Sequence, residues 1–151
     1  MSTGKTALSA VQAAVMELLA TDMTLMALVP GGVWDYVPAD PAFPYVCLEE
    51  AEEVPDDSYG AQGRKVRLTF LILSTYQGRS EQFAILEELV RILRQTTLSM
   101  AGSPPILAGW EQVGSALWYD GGRAISPFDL GNTRAGGTQA RFEVQVVESA
   151  P

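Results

Sequence analysis

The sequence predicts an α+β domain: a mainly antiparallel sheet of about four to five strands with two principal helices packed on one face. Three stretches carry that expectation. Residues 66–73 are branched and aromatic, with Val66, Leu68, Phe70 and Ile72 in one phase. Leu71 and Leu73 make the other phase apolar too, as in a strand inside a sheet. Residues 80–95 then repeat apolar side chains at helical spacing. Near the end, Ala140, Phe142, Val144 and Val146 alternate with Gln139, Arg141, Glu143 and Gln145, the pattern of a half-buried strand with one polar face.

The remaining elements follow in order. Residues 5–20 form a first helix through Leu8, Val11, Val15 and Leu18, with Leu19 beside them. Asp22 caps a short helical turn through Met23, Leu25, Met26 and Leu28, ended by Pro30-Gly31-Gly32. Residues 33–37 make a short strand, and prolines 38, 41 and 44 stiffen the extended connection after it. A strand resumes over 45–50, and the acidic run beyond it is expected as an exposed loop through Gly63. A polar connection at 74–79 leads to Ser80 as N-cap, with Glu81 near the positive end of the helix dipole. Phe83, Leu86, Val90 and Leu93 form that helix's apolar stripe, widened by Ile85, Leu89 and Ile92. Glu87 and Arg91 form an i,i+4 pair on its solvent side. After a polar turn at 96–105, residues 106–119 make one long strand or two shorter ones, with Trp110 and Trp118 in phase. The chain is read as one domain, 1–151, with a long flexible loop at about 119–138 between hinge-like glycine pairs.

Composition excludes several classes of chemistry. The sequence has no histidine and one cysteine, Cys47, so Ser-His and Cys-His nucleophiles and the common zinc sites are unavailable. Cys47 falls in a predicted strand and reads as a small packed side chain. The six carboxylates between residues 49 and 57 suggest calcium, but no EF-hand glycine or terminal glutamate accompanies them. Ser2 to Thr6 resembles the end of a P-loop without its upstream glycine, and neither glycine pair precedes a helix. No catalytic, cofactor-binding or metal-binding residue is therefore expected. Nor does any apolar run approach a membrane span. The absence of a secretory-signal layout points to folding in a cytosol. The net charge of −8 is uneven: residues 1–63 hold ten acids and one base, and residues 64–151 hold eight acids and nine bases. A chain with that balance does not grip nucleic-acid phosphates.

The phrases TDMTLMALVPGGVWDYVPADPAFPYVCLEE, RKVRLTFLILSTYQGRSEQ and GGTQARFEVQVVE, in this order, resemble the tail-completion or tail-terminator proteins of long-tailed bacteriophages. The resemblance runs from about Leu8 to Glu148. The Gly-rich stretch at 119–138 departs from the pattern, being longer than the family's. The resemblance implies a structural, non-enzymatic virion protein at the head-proximal end of the tail, assembled in the host cytoplasm. It implies a hexameric ring that caps the tail tube and offers a surface for the head. Its implied partners are further copies of itself, the tail tube protein and a head–tail connector or stopper protein. Genome DNA would pass through the lumen without specific binding. The alternatives are that the chain is itself a connector or stopper, or a small enzyme using a carboxylate or thiolate.

A closed ring needs two different patches on each subunit. The acids Glu49, Glu52, Glu53, Asp56 and Asp57 and the bases Arg64, Arg67, Arg79, Arg123 and Arg134 supply opposite signs for such patches. The acids could instead line the lumen. Phe128 and Leu130 are the large apolar anchors of the 124–138 segment and are expected to dock against a partner.

Overall fold

The computed structural model describes residues 6–56, 63–76, 78–95, 110–112, 117–126 and 135–148. Helix α1 (Ala7–Thr21) begins where the Thr6 hydroxyl accepts the Ser9 amide at 3.0 Å. Helix α2 (Met23–Leu28) begins at Asp22, whose carboxylate accepts the Leu25 amide at 2.9 Å. The first strand, β1 (Val33–Trp34), is shorter than the predicted 33–37. Strands β2 (Tyr45–Pro55) and β3 (Gly63–Ser74) follow, then helix α3 (Ser80–Gln95). The chain continues with β4 (Trp110–Gln112), β5 (Trp118–Ile125) and β6 (Gly136–Glu148).

The six strands form one sheet ordered β1-β2-β3-β6, with β4 and β5 pairing in succession along the far edge of β6. β1 runs parallel to β2, and every other pairing is antiparallel. All three helices contribute to the core on one face, so the α+β class holds, with α2 as a short third helix. The described residues of 106–119 include β4 and the start of β5, with Leu117 just before it. Trp110 is buried and Trp118 is 74% exposed, so they do not share a phase.

The core is built from the apolar phases of β3 and β6. Val66, Leu68, Phe70 and Ile72 meet Ala140, Phe142, Val144 and Val146 on the helix-covered face. Phe142 packs edge-on to Phe70 at 6.2 Å between ring centres and lies 5.4 Å from Tyr119. α1 turns its Ala7, Ala10 and Ala14 inward with Val11, Val15 and Leu19. α3 buries Ile85, Leu89, Ile92 and Leu93, while Leu86 and Val90 flank the core. Phe83, expected in that stripe, is 42% exposed, and Gln82 is buried in its place. The reason is a partner: the Thr138 hydroxyl donates to Gln82 Oε1 at 2.7 Å, a satisfied polar pair within the core.

Other local expectations change as well. The Arg79 carbonyl accepts the Phe83 amide, which makes Arg79 the cap position and Ser80 the first helical residue. Arg91 does not pair with Glu87. It binds Glu88 at 2.7 Å and both carboxylate oxygens of Asp22 at 3.1 Å, clamping α2 to α3. Burial opposes charge on Asp22, but the Leu25 amide and the Arg91 guanidinium together hold its pKa below the ordinary value. The connection between α2 and β2 is drawn tight at Gly31, whose amide donates to the Pro44 carbonyl at 3.0 Å. A Cβ there would run into the Ala42 carbonyl oxygen, so the close approach requires glycine.

Candidate functional site

Because the helices cover one face, the other face of the sheet and its two edges are the parts left without a helix over them among the described residues. A β-bulge in β2 decides what lies there. Opposite β3, the register shifts between Leu48 and Glu50. Before the bulge, Tyr45 and Cys47 stand across from Leu73 and Leu71; after it, Glu50 and Glu52 stand across from Thr69 and Arg67. Glu50 and Glu52 therefore share the open face, and Ala51 and Glu53 turn toward the helices.

The open face has two halves. At one end Leu71, Leu73 and Ala135 form a small apolar cluster with Phe43, Tyr45, Cys47 and Ile125 against it. Cys47 is half-buried there, and burial, then the nearby Glu49 carboxylate, raises its thiol pKa. A thiol so held is a packing group rather than a nucleophile. Burial also raises the Tyr45 phenol, with the Cys47 sulfur adding to it.

The other half is polar. Arg67 sits between two carboxylates on neighbouring strands, 2.9 Å from Glu143 and 3.0 Å from Glu52. Glu143 first, then Glu52, hold its guanidinium more firmly charged than usual. Gln139 donates to Glu49 at 2.7 Å, and Gln145 donates to Asp56 at 3.1 Å. Thr69, Glu50 and Arg141 complete an open hollow beside this ladder. Its pairs are cross-strand and exposed or half-exposed, so solvent screens them.

The predicted site residues thus divide. Glu49, Glu52, Asp56 and Arg67 come together on or beside the open face, on strands; the acidic run through residue 55 is not a loop. Its β-unfriendly composition is overridden by the long ladder to β3. Glu53 belongs to the opposite face, where it accepts the Leu8 amide at 2.9 Å and adds negative charge at the start of α1. Arg64 lies 4.0 Å from Glu53 and stacks over the Trp110 ring at 5.8 Å. Arg79 is exposed at the start of α3. Arg123 is exposed on β5, opposite Gln139. Asp57, Phe128, Leu130 and Arg134 lie outside the described residues, as does much of the 119–138 segment. Most of the described part of that segment is strand: 119–125 belong to β5 and 136–138 to β6. Gly121-Gly122 mark a bulge in β5, where Gly121 takes φ +97°, and Gly136-Gly137 begin β6. Both pairs thus lie within strands.

The site residues that sequence reasoning did not single out are Gln139, Arg141, Glu143 and Gln145. Their signal was present in the alternation of β6, whose polar phase faces the open side. Among the described residues, no three His, Cys, Asp or Glu side chains gather as a metal ion would need. No helix among them is long and apolar enough to cross a membrane.

Residues 13–125 match a family model described as Tail completion protein gp17. Among solved structures, a chain from the virion of a native gene transfer agent (GTA) particle matches with a TM-score of 0.76 at 21% identity. That match covers 95% of this chain and 99% of the other. The bacteriophage SPP1 gp17 protein matches with a TM-score of 0.51 at 22% identity, covering 94% of each chain. No curated protein sequence matches. At these identities the structural likeness establishes the fold.

Proposed function

The chain belongs to the tail completion protein gp17 family, and from that premise we propose that it caps the phage tail tube as a ring of six copies and offers the head its joining surface. Its role is structural, in tail assembly. The position is the head-proximal end of the tail, reached from the host cytoplasm during assembly. Its partners are neighbouring copies, the tail tube protein and a head–tail connector or stopper protein.

The observation that carries this reading is the family match across three-quarters of the chain. The subunit's architecture supports it. One face is sealed by helices, while the open face, with its exposed charges, and the two sheet edges remain for partners. The lack of histidine and the packed, raised-pKa thiol support a role without catalysis. The acidic surplus supports a lumen through which DNA passes without being held.

The test is a tube-elongation assay with purified tail tube protein. Adding this chain should halt elongation at the tube end, with a six-membered ring visible there in end-on images. Tubes that elongate unchanged in its presence would overturn the reading.

A further inference from the structure

The two edges of the sheet are the feature left without a role. Beyond Cys47, the outer edge of β2 has no strand beside it among the described residues, because β1 covers only Val46 and Cys47. That leaves residues 48–55 unpaired on one side. At the opposite end of the sheet, β5 pairs with β6 and with no other strand among the described residues, which leave its eight residues open on their outer side. Trp118, Asp120, Arg123 and Ala124 are exposed there. Two open edges of matching length thus stand at opposite ends of one sheet.

We infer that these edges pair with each other between neighbouring copies, β5 of one subunit adding as a strand to the 48–55 edge of β2 in the next. This rests on the ring reading above and specifies its interface. Strand addition takes its affinity from main-chain hydrogen bonds and its selectivity from side chains. The side chains here favour one arrangement. Two β2 edges brought together would set Glu49, Glu50 and Glu52 against the same acids, a like-charge contact. The β5 edge carries both signs, Asp120 and Arg123, rather than acids alone, and Arg141 stands one strand behind it, with no ion pair for either arginine among the described residues. The acids therefore oppose a two-fold contact and permit a head-to-tail one. Head-to-tail contacts regenerate a free edge at each addition, and they end only when the ring closes.

The test is cysteine cross-linking of the full chain in a Cys47→Ala background. Glu50→Cys is combined in turn with Asp120→Cys, Arg123→Cys and Ala124→Cys, so that different registers are sampled. Expected is a disulfide ladder in at least one double variant, ending at the ring number, while each single variant stays monomeric on a denaturing gel. Native mass spectrometry of the same samples reports whether the ring forms. Rings without a ladder in any double variant overturn the edge pairing and leave the ring standing. Dimers from single variants overturn it in favour of a two-fold contact. Absence of rings removes the ring reading and this interface together. Hydrogen exchange on the unsubstituted chain gives a second readout. Ring formation should slow exchange of amides within both 48–55 and 118–125 by roughly tenfold or more. Unchanged exchange in either segment rejects the pairing.

Discussion

Leu89→Ala should destabilise the subunit far more than Phe83→Ala, although both are large apolar residues on the same helix. Leu89 is fully buried, whereas Phe83 is 42% exposed. Truncating a fully buried leucine loses its transfer energy and leaves a cavity, together about 2–5 kcal/mol. Phe83 leaves little cavity behind, and its loss should stay within about 1 kcal/mol. The assay is urea unfolding followed by circular dichroism, at a protein concentration where a single species is present, because assembly would add its own stability. With a slope of roughly 2 kcal/mol per molar urea, Leu89→Ala should lower the midpoint by about 1–2.5 M and Phe83→Ala by less than about 0.5 M. Equal shifts would refute the orientation of α3. A larger shift for Phe83 would return the helix to the stripe centred on Phe83, Leu86, Val90 and Leu93.

Asp22→Asn should keep the cap of α2 but lose the charge facing Arg91. The folded-state pKa of Asp22 lies below its ordinary value of 3.8, so its charge contributes stability above that value and loses it as pH falls through the lower folded pKa. The stability gap between wild type and variant should therefore close in acid, and a gap constant between neutral pH and pH 2 rejects the clamp. Gly31→Ala should cost about 1–3 kcal/mol in the same unfolding assay, since its Cβ meets the Ala42 carbonyl; a neutral result means that this connection relaxes freely. Glu53→Ala should cost about 0.3–2 kcal/mol and speed amide exchange at Leu8, whose acceptor it removes. Unchanged exchange there would mean that the carboxylate does not hold the start of α1.

How legible these features were depends on whether one segment decided them or two. β6 was readable because its own alternation names both faces, and the core phase of β3 was readable for the same reason. The capping role of Asp22 was local too, lying three residues from the amide it accepts. The bulge at Glu49 was not local. It exists because β2 and β3 hold register on both sides of an extra residue, and nothing in the acidic run itself marks that shift. Without it, simple alternation sends Glu53 to the open face and Glu52 to the helices, the reverse of what is found. The phase of α3 was likewise settled elsewhere. Both a Phe83-centred and a Leu89-centred stripe fit helical spacing, and the buried Thr138 hydroxyl selects the one that brings Gln82 inward. Arg91 had Glu87 and Glu88 within reach, and the packing of α2 beside α3 added Asp22 and fixed the choice.

The same non-local pairing changes which charges can act between subunits. Read from sequence, the later arginines form one pool of positive charge set against the acidic run. In the fold, Arg67 is already held by Glu52 and Glu143, Arg91 by Asp22 and Glu88, and Arg64 lies beside Glu53 and Trp110. A guanidinium engaged by two carboxylates has little left to offer a neighbour. Arg123 and Arg141 differ: both are exposed, near the β5 edge, without an ion pair among the described residues. Glu50 has the corresponding position near the β2 edge, exposed on the open face and outside the Arg67 ladder. Arg123 and Arg141 thus lie toward one end of the sheet, with Asp120 of opposite sign also exposed on β5, and Glu50 lies toward the other. Few exposed charges steer an encounter and reject a wrong register, but at about 0–1 kcal/mol for each pair they cannot hold a ring closed. In the inferred pairing, main-chain bonds along the joined edges, with exposed Trp118 at the start of β5, supply the cohesion.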